Sequence, residues 1–293
     1  MSLWTLIRIL AGLVVAGVVV FTLLMVRHVR EKPIAGEFSK WIPVETVAAP
    51  MVTLPKPSAG TPEIDPGVKT FEKARQSLAV GDLSVARDRL KQIATLYPRS
   101  SAAPESRRIL SEMNLDEVLS PAHPEGKTLY KVQRGDSYLA IAARHDTSLD
   151  MIVHLNGLFD LGNLQPGDEL LLMPLNFRLL IEPDRKTISV WDGESFVAEY
   201  PAVAMVGLKA DGKTKIDSKQ GEVDGKRVPP SNPAYRGAAK ILMLAKPALE
   251  IAGASATAVE DLAPGVYLRP EQMEELALLL RPGNEVEIRR SGQ

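Results

Sequence analysis

The sequence predicts an α+β multidomain chain: an N-terminal transmembrane helix, a short helical hairpin segment, a small β-α-α-β module and a mostly-β C-terminal domain. Three patterns predict it. Ile9 to Val26 is apolar throughout. From Val68 to Leu119 the apolar residues recur at helical steps, as in Phe71, Ala74, Leu78 and Leu83, Ala86, Leu90, Ile93. After Asn176 they alternate, as in Phe177, Leu179, Ile181 and Ile188, Val190, which is the two-residue period of strands.

Composition narrows the function. The 293 residues suit one large or several small domains, and the formal net charge is -1. That balance lacks the basic surplus of a nucleic-acid partner. The chain has no cysteine, which excludes disulfides, thiolate nucleophiles, cysteine-ligated zinc and lipid attachment through an N-terminal Cys. Its four histidines are His28, His123, His145 and His154, so none follows residue 154. No cofactor or metal site is expected, because the scattered carboxylates lack ligand spacing.

The run from Ile9 to Val26 has about 18 residues, which at about 1.5 Å each spans most of a ~30 Å hydrocarbon core. Arg8 and Arg27 bracket it where their heads can reach the interface. No small-x-small cleavage site follows in VRHVREKP, so residues 1–31 are expected to be an uncleaved membrane anchor. The flanking charges nearly tie and lean slightly against export of the C-terminus. Residues 32–66 carry Pro33, Pro43, Pro50, Pro55, Pro57, Pro62 and Pro66. Proline fixes φ and removes a donor, so this reads as an extended linker, with a reach on the order of 100 Å at ~3.1 Å per residue.

Residues 67–120 read as two to three helices. Gly81-Asp82 breaks the first and caps the second. Tyr97-Pro98 ends the second, and a third starts across Ser100 to Glu105. The order Ala-x3-Leu-x2-Gly-Asp-x3-Ala, then Tyr-Pro-x-Ser, resembles a tetratricopeptide unit. One unit and a half cannot bury a solenoid core alone. The segment is therefore expected to dock on its neighbours or on another chain, as a partner site or as a spacer.

The module at 128–174 is the most informative stretch. A short strand with Tyr130 and Val132 meets Gly135-Asp136-Ser137, where Asp136 or Ser137 can cap a helix carrying Leu139, Ile141 and Ala142. Thr147-Ser148 opens a second helix with Met151, Ile152 and Leu155, which Asn156-Gly157 ends. Pro166-Gly167 turns into a strand from Glu169 to Met173. The Tyr-x-Val-x-x-Gly-Asp-Ser start, the Ile-Ala, the Asn-Gly and the Leu-x-Pro-Gly-Asp-x-Leu finish resemble the LysM domain, with Tyr138 where that family usually has Leu. The resemblance implies binding to N-acetylglucosamine polymers, above all peptidoglycan. Carried over, the family's groove lies between Gly135, Asp136, Ser137, Tyr138 on one side and Asn156, Gly157, Leu158, Phe159 on the other. It also implies a location at the inner membrane with the domains on the periplasmic, cell-wall side. A small packed spacer is the alternative.

Residues 175–291 follow. Asp192-Gly193 signals a hairpin, Gln272 to Leu280 a helix with Met273, Leu276 and Leu280 on one face, and Val286 with Ile288 a last strand. The opening FRLLIEPDRKTISVWDGESFVAEYPAVAMVG and the ending LRPEQMEELALLLRPGNEVEI resemble the L,D-transpeptidase (YkuD-type) domain. That family's activity rests on a His-Gly motif and a Ser-x-Gly-Cys-x-Arg motif, the histidine activating a cysteine thiolate. Here Ala252-Gly253 stands at the first. At the second, Gly265 survives, Val266 replaces the cysteine and Leu268 the arginine. The family's Thr-Pro-x-Gly turn is reduced to Thr214-Lys215-Ile216, and Lys213 to Lys215 reads as a solvated turn.

Without nucleophile and base the chemical step is lost, so a non-catalytic, degenerate domain is expected. Two alternatives stay open. One is an active enzyme using other residues, such as Ser255 with Lys215, Lys219, Lys240 or Lys246. The other is a helical interaction adaptor at 67–120, localised by LysM.

Overall fold

The computed structural model describes residues 12, 14–24, 65–208, 210–254 and 262–290. The chain divides into two compact units, Met1–Glu63 and Ile64–Gln293. In the first, residues 14–24 are helical. Among the described residues no helix is long and apolar enough to cross a membrane; of the anchor predicted over 9–26 only residues 12 and 14–24 are described, and the linker over 32–66 lies outside them except for its last two residues.

The second unit opens with three helices, α1 (Pro66–Ala79), α2 (Leu83–Leu96) and α3 (Ala103–Leu119). Asp65 caps α1 by accepting from Gly67 N at 2.9 Å, and Asp82 caps α2 by accepting from Val85 N at 3.3 Å. The third helix starts at Ala103, three residues later than Ser100, with Pro104 in its first turn, where a missing N–H costs nothing.

The β-α-α-β module consists of β1 (Thr128–Lys131), α4 (Tyr138–Arg144), α5 (Leu149–Asn156) and β2 (Glu169–Leu172). β1 and β2 pair antiparallel, with Tyr130 opposite Leu170. Ser148 Oγ caps α5 by accepting from Met151 N at 3.1 Å. Gly157 ends α5 in the left-handed conformation, with φ 57°, where a side chain would be strained.

The remaining strands are β3 (Arg178–Glu182), β4 (Thr187–Asp192), β5 (Ser195–Pro201), β6 (Ala204–Val206), β7 (Gly212–Val223), β8 (Lys226–Val228), β9 (Ala239–Leu244), β10 (Glu250–Gly253), β11 (Gly265–Leu268) and β12 (Glu285–Ile288). They build one sheet in the order β5-β4-β3-β12-β7-β9-β10-β11-β6, with β8 beside β7. Helix α6 (Pro270–Leu279) precedes β12. The Asp192-Gly193 turn closes the β4–β5 hairpin as predicted.

Two expectations are corrected here. Lys213 to Lys215 is not a turn: these residues lie in β7, paired to β12 with Val286 opposite Thr214. Thr214-Lys215-Ile216 is likewise strand. The reason is that β7 is held from both sides, by β12 at its start and by β9 beyond Ile216. Ladder hydrogen bonds therefore replace the apolar alternation that its sequence lacks.

The three segments share cores. Leu115 of α3 and Met151 and Leu155 of α5 belong to the large core of the C-terminal sheet, together with Leu179, Ile188, Ile251 and Leu276. Ile152, one position from Met151, packs instead on the module's own core with Val132, Ile141, Ala142, Leu170 and Leu172. Helix α5 thus has two apolar faces and serves two cores.

Helix α3 covers the edge strand β5. Arg107 meets Glu199 at 2.9 Å with both side chains nearly buried, and Asn114 Nδ2 donates to Phe196 O and Val197 O at 3.0 Å. Phe196 inserts among Ala74, Leu90 and Leu110. The helical segment therefore closes its core on the sheet and shields an edge that would otherwise offer unpaired backbone groups.

Candidate functional site

The two predicted groove walls come from the turns at either end of the module's helices. In the first wall Gly135 turns the chain at φ 89°. Asp136 then accepts from Tyr130 Oη at 2.7 Å, from Gln133 N at 2.9 Å and from Arg144 Nη1 at 3.1 Å. The Tyr130 hydroxyl, with the Gln133 amide and Arg144, holds the Asp136 carboxyl below its ordinary value, because each partner favours the charged form. Ser137 is the helix cap, its Oγ accepting from Ala140 N at 3.2 Å. Of the two residues the sequence offered for that role, Ser137 takes it, and Asp136 ties the turn to β1.

In the second wall the Asn156 side chain binds the fold itself. Its Nδ2 donates to Ile152 O and Leu171 O at 2.9 Å, and its Oδ1 accepts from Leu171 N at 2.7 Å. Leu158 packs partly buried on the module's core. Phe159 is 94% exposed. Asp160 shapes the next turn by accepting from Gly162 N at 2.8 Å and Asn163 Nδ2 at 2.9 Å.

The structure brings the two sets together. Tyr138 and Leu158 sit on the same small core. Burial, then the charges of Asp168 and Asp160, push the Tyr138 hydroxyl up, and Asp160 directly follows the second predicted wall. The eight residues are placed differently: the polar atoms of Asp136 and Asn156 are committed to the turns, whereas the ring of Phe159 is exposed.

The residues standing at the degenerate catalytic positions are placed differently. β10 and β11 are parallel, with Ile251 opposite Val266 and Ala252 opposite Tyr267. Side chains alternate across a sheet. Val266 and Leu268, both 0% exposed, accordingly point with Ile251 into the main core, and Ala252 packs with Tyr267, Ala204 and Ile241 on the opposite face. Ala252 and Val266 are therefore not brought together. Gly265 has a steric role: a Cβ there would run into the Glu250 carbonyl. At Gly253 a Cβ would lie 3.2 Å from Pro270 Cα.

On the Ala252 face, Tyr267 Oη donates to Glu250 Oε1 at 2.7 Å, and Arg227 meets Glu250 Oε2 at 2.7 Å. No sequence signal marked that cluster. Of the alternative bases, Ser255 lies outside the described residues, Lys215 and Lys246 are exposed, and Lys219 and Lys240 are buried. Among the described residues no group of three or more His, Cys, Asp or Glu could hold a metal ion.

Sequence reasoning also missed the residues that join the module to the C-terminal domain. Lys219 Nζ sits 2.5 Å from Asp150 Oδ2, 2.5 Å from Ala277 O and 3.3 Å from Leu280 O. Tyr235 Oη donates to the same Asp150 oxygen at 2.7 Å. Burial pushes the Asp150 carboxyl up, but the Lys219 ammonium and the Tyr235 hydroxyl more than reverse this and leave it low. These groups border a cleft of about 350 Å³ between the two domains, which Leu139 and Ala142 also line. A buried lysine in a polar strand and an acidic residue in a first helical turn carry no pairing signal in sequence.

The LysM domain family matches residues 130–172. No curated protein matches the chain. Its structural neighbours include L,D-transpeptidases. The one from Mycobacterium smegmatis is 13% identical over 44% of this chain and 64% of its own, with a TM-score of 0.29. A mutant of the Enterococcus faecium enzyme is 11% identical over 39% and 50%, also at 0.29. Bdellovibrio bacteriovorus Bd1075 is 16% identical over 39% and 47%, at 0.31. The chain thus spans between 47 and 64% of the length of these three proteins.

Proposed function

We propose that the chain is a membrane-anchored cell-envelope protein that binds peptidoglycan glycan strands through the groove between residues 135–138 and 156–159, and that its C-terminal domain is a scaffold, not a catalyst. The observation that carries this reading is the LysM match over residues 130–172, with both groove walls standing on one small core and Phe159 open to solvent. Sugar rings present apolar faces and hydroxyl edges, which suit exposed aromatic rings and backbone groups.

The scaffold reading is supported by the buried Val266, by its separation from Ala252 across the sheet, and by the commitment of Lys219 to Asp150. A thiolate–imidazole pair needs its members within hydrogen-bond reach on one side of the sheet. Membrane anchoring through residues 9–26 and a cell-wall-side location follow from the apolar run and from where peptidoglycan lies.

The test is co-sedimentation of the full chain with purified peptidoglycan, with tetrapeptide stems assayed in parallel for loss of the terminal residue. Sedimentation without stem cleavage is expected. Protein that stays in the supernatant overturns glycan binding, and stem cleavage overturns the scaffold assignment.

A further inference from the structure

A single turn of the C-terminal domain holds α5 of the LysM module at both ends. The turn is the 3-10 segment Pro233–Gly237. Tyr235 reaches the start of the helix through its bond to Asp150. Arg236 reaches the exit: its Nη1 donates to Phe159 O, and its Nη2 donates to Leu158 O at 2.8 Å. Neighbouring residues on the turn thus grip points separated by the length of α5, about 12 Å for eight residues at about 1.5 Å each.

The turn is itself fixed. Buried Lys240 donates from its Nζ to Ala238 O at 2.8 Å and Tyr235 O at 3.2 Å, and the ammonium lies 4.8 Å from the centre of the Tyr235 ring. Asn232 caps the turn by accepting from Ala234 N at 2.9 Å. Arg236 is therefore presented from a rigid base, and the planar guanidinium fork spans two successive carbonyls as a single ammonium would not.

Those two carbonyls flank the exposed ring of Phe159. The segment between Gly157 and Asp160 has no ladder bonds, and only Leu158 of it touches the module's core. Its conformation is set by the Gly157 turn on one side, the Asp160 turn on the other and Arg236 from outside. We infer that Arg236 is a positioning residue of the glycan groove, and that the C-terminal domain acts on LysM by holding the wall that presents Phe159. The groove is then a property of two domains, and the degenerate domain is retained as its brace. This rests on the glycan-binding reading above.

The experiment is calorimetric titration of the full chain with a soluble N-acetylglucosamine pentamer, in wild type, R236A, R236K, F159A and R236A/F159A. R236A is expected to bind about five- to tenfold more weakly and F159A about tenfold more weakly, the loss typical of truncating a binding-site anchor. R236K is expected to stay close to R236A, because it keeps the charge but not the fork.

Because Arg236 acts through the Phe159 wall, the double variant is expected to bind within about twofold of F159A alone. Wild-type binding with R236A unchanged overturns this inference and leaves the glycan reading standing. So do losses that multiply in the double variant, or full rescue by Lys. Absence of wild-type binding overturns both.

Discussion

Removing the Asp150 carboxylate is the perturbation whose cost the structure specifies best. Lys219 is 4% exposed, and its ammonium has three acceptors, of which Asp150 is the only charged one. In D150A the carbonyls of Ala277 and Leu280 remain, but the buried ammonium loses its hydrogen-bonded counter-charge and keeps only the weaker Coulombic pull of Glu274. Breaking a buried pair from one side costs about 3–5 kcal/mol, and the orphaned Tyr235 hydroxyl adds about 1 kcal/mol. That is a large part of the ~5–15 kcal/mol that holds a domain folded. D150A/K219M removes both charges and keeps an unbranched chain of similar length. It is expected to return to within about 1 kcal/mol of wild type.

Urea denaturation followed by circular dichroism measures all three proteins. The pH dependence supplies a second reading. Burial pushes Lys219 below its ordinary 10.5, and Asp150 partly offsets this. Without Asp150 the depression deepens, so in the alkaline range below 10.5 the unfolded chain binds more protons than the folded one. The stability of D150A therefore rises with pH there more steeply than that of wild type. In wild type the depressed Asp150 contributes stability above its ordinary 3.8, and this is lost as pH falls through its lower folded value. A D150A cost below about 1 kcal/mol, or a double variant no more stable than D150A, would refute the reasoning.

Further outcomes are expected elsewhere. V266C introduces the chain's sole thiol, and because Val266 is 0% exposed it should resist a thiol reagent until the protein is unfolded; rapid labelling of folded protein would contradict the assigned facing of β11. A252H/V266C should not gain stem-cleaving activity, since the two side chains face opposite sides of the sheet. G265A should lower the melting temperature, because the new methyl meets the Glu250 carbonyl, whereas a similar change at the exposed, uncrowded Gly237 should be nearly silent. D136N should flatten the acid limb of the stability curve measured between about pH 2 and 6, since the depressed Asp136 carboxylate loses its contribution as pH falls through its folded value; an unchanged acid limb would count against its role in closing the turn.

The local signals in this chain were strong where short-range rules govern. Asp82, Ser137, Ser148 and Gly157 mark helix ends through bonds to residues within a turn of them; Gly81-Asp82 and Asn156-Gly157 are readable as such, while the sequence leaves Asp136 or Ser137 open as the cap and gives Thr147-Ser148 as a pair. The β4–β5 hairpin followed from Asp192-Gly193 and its flanking alternation. By contrast β7 has almost no apolar residues apart from Ile216. It is a strand because β12 and β9 bind its backbone, and both lie far along the sequence.

The candidate site divided in the same way. The walls at 135–138 and 156–159 were legible as turns, but not the use each side chain is put to. Asp136 and Asn156 spend their polar atoms on the turns, and Arg236, which grips the second wall, lies 77 residues beyond Phe159.

The sequence by itself determined the elements of the module, its likeness to LysM, and the absence of cysteine and of any histidine after residue 154, because composition and short-range periodicity are properties of the chain alone. Only the tertiary structure decided that Met151 and Leu155 leave the module's core for that of the C-terminal sheet while Ile152 stays, and that Asp150, Lys219, Tyr235 and Arg236 join the two domains. The physical reason is that a helix pattern records which residues are apolar but not which neighbour buries them. A buried charge likewise declares its partner only when folding brings the two together.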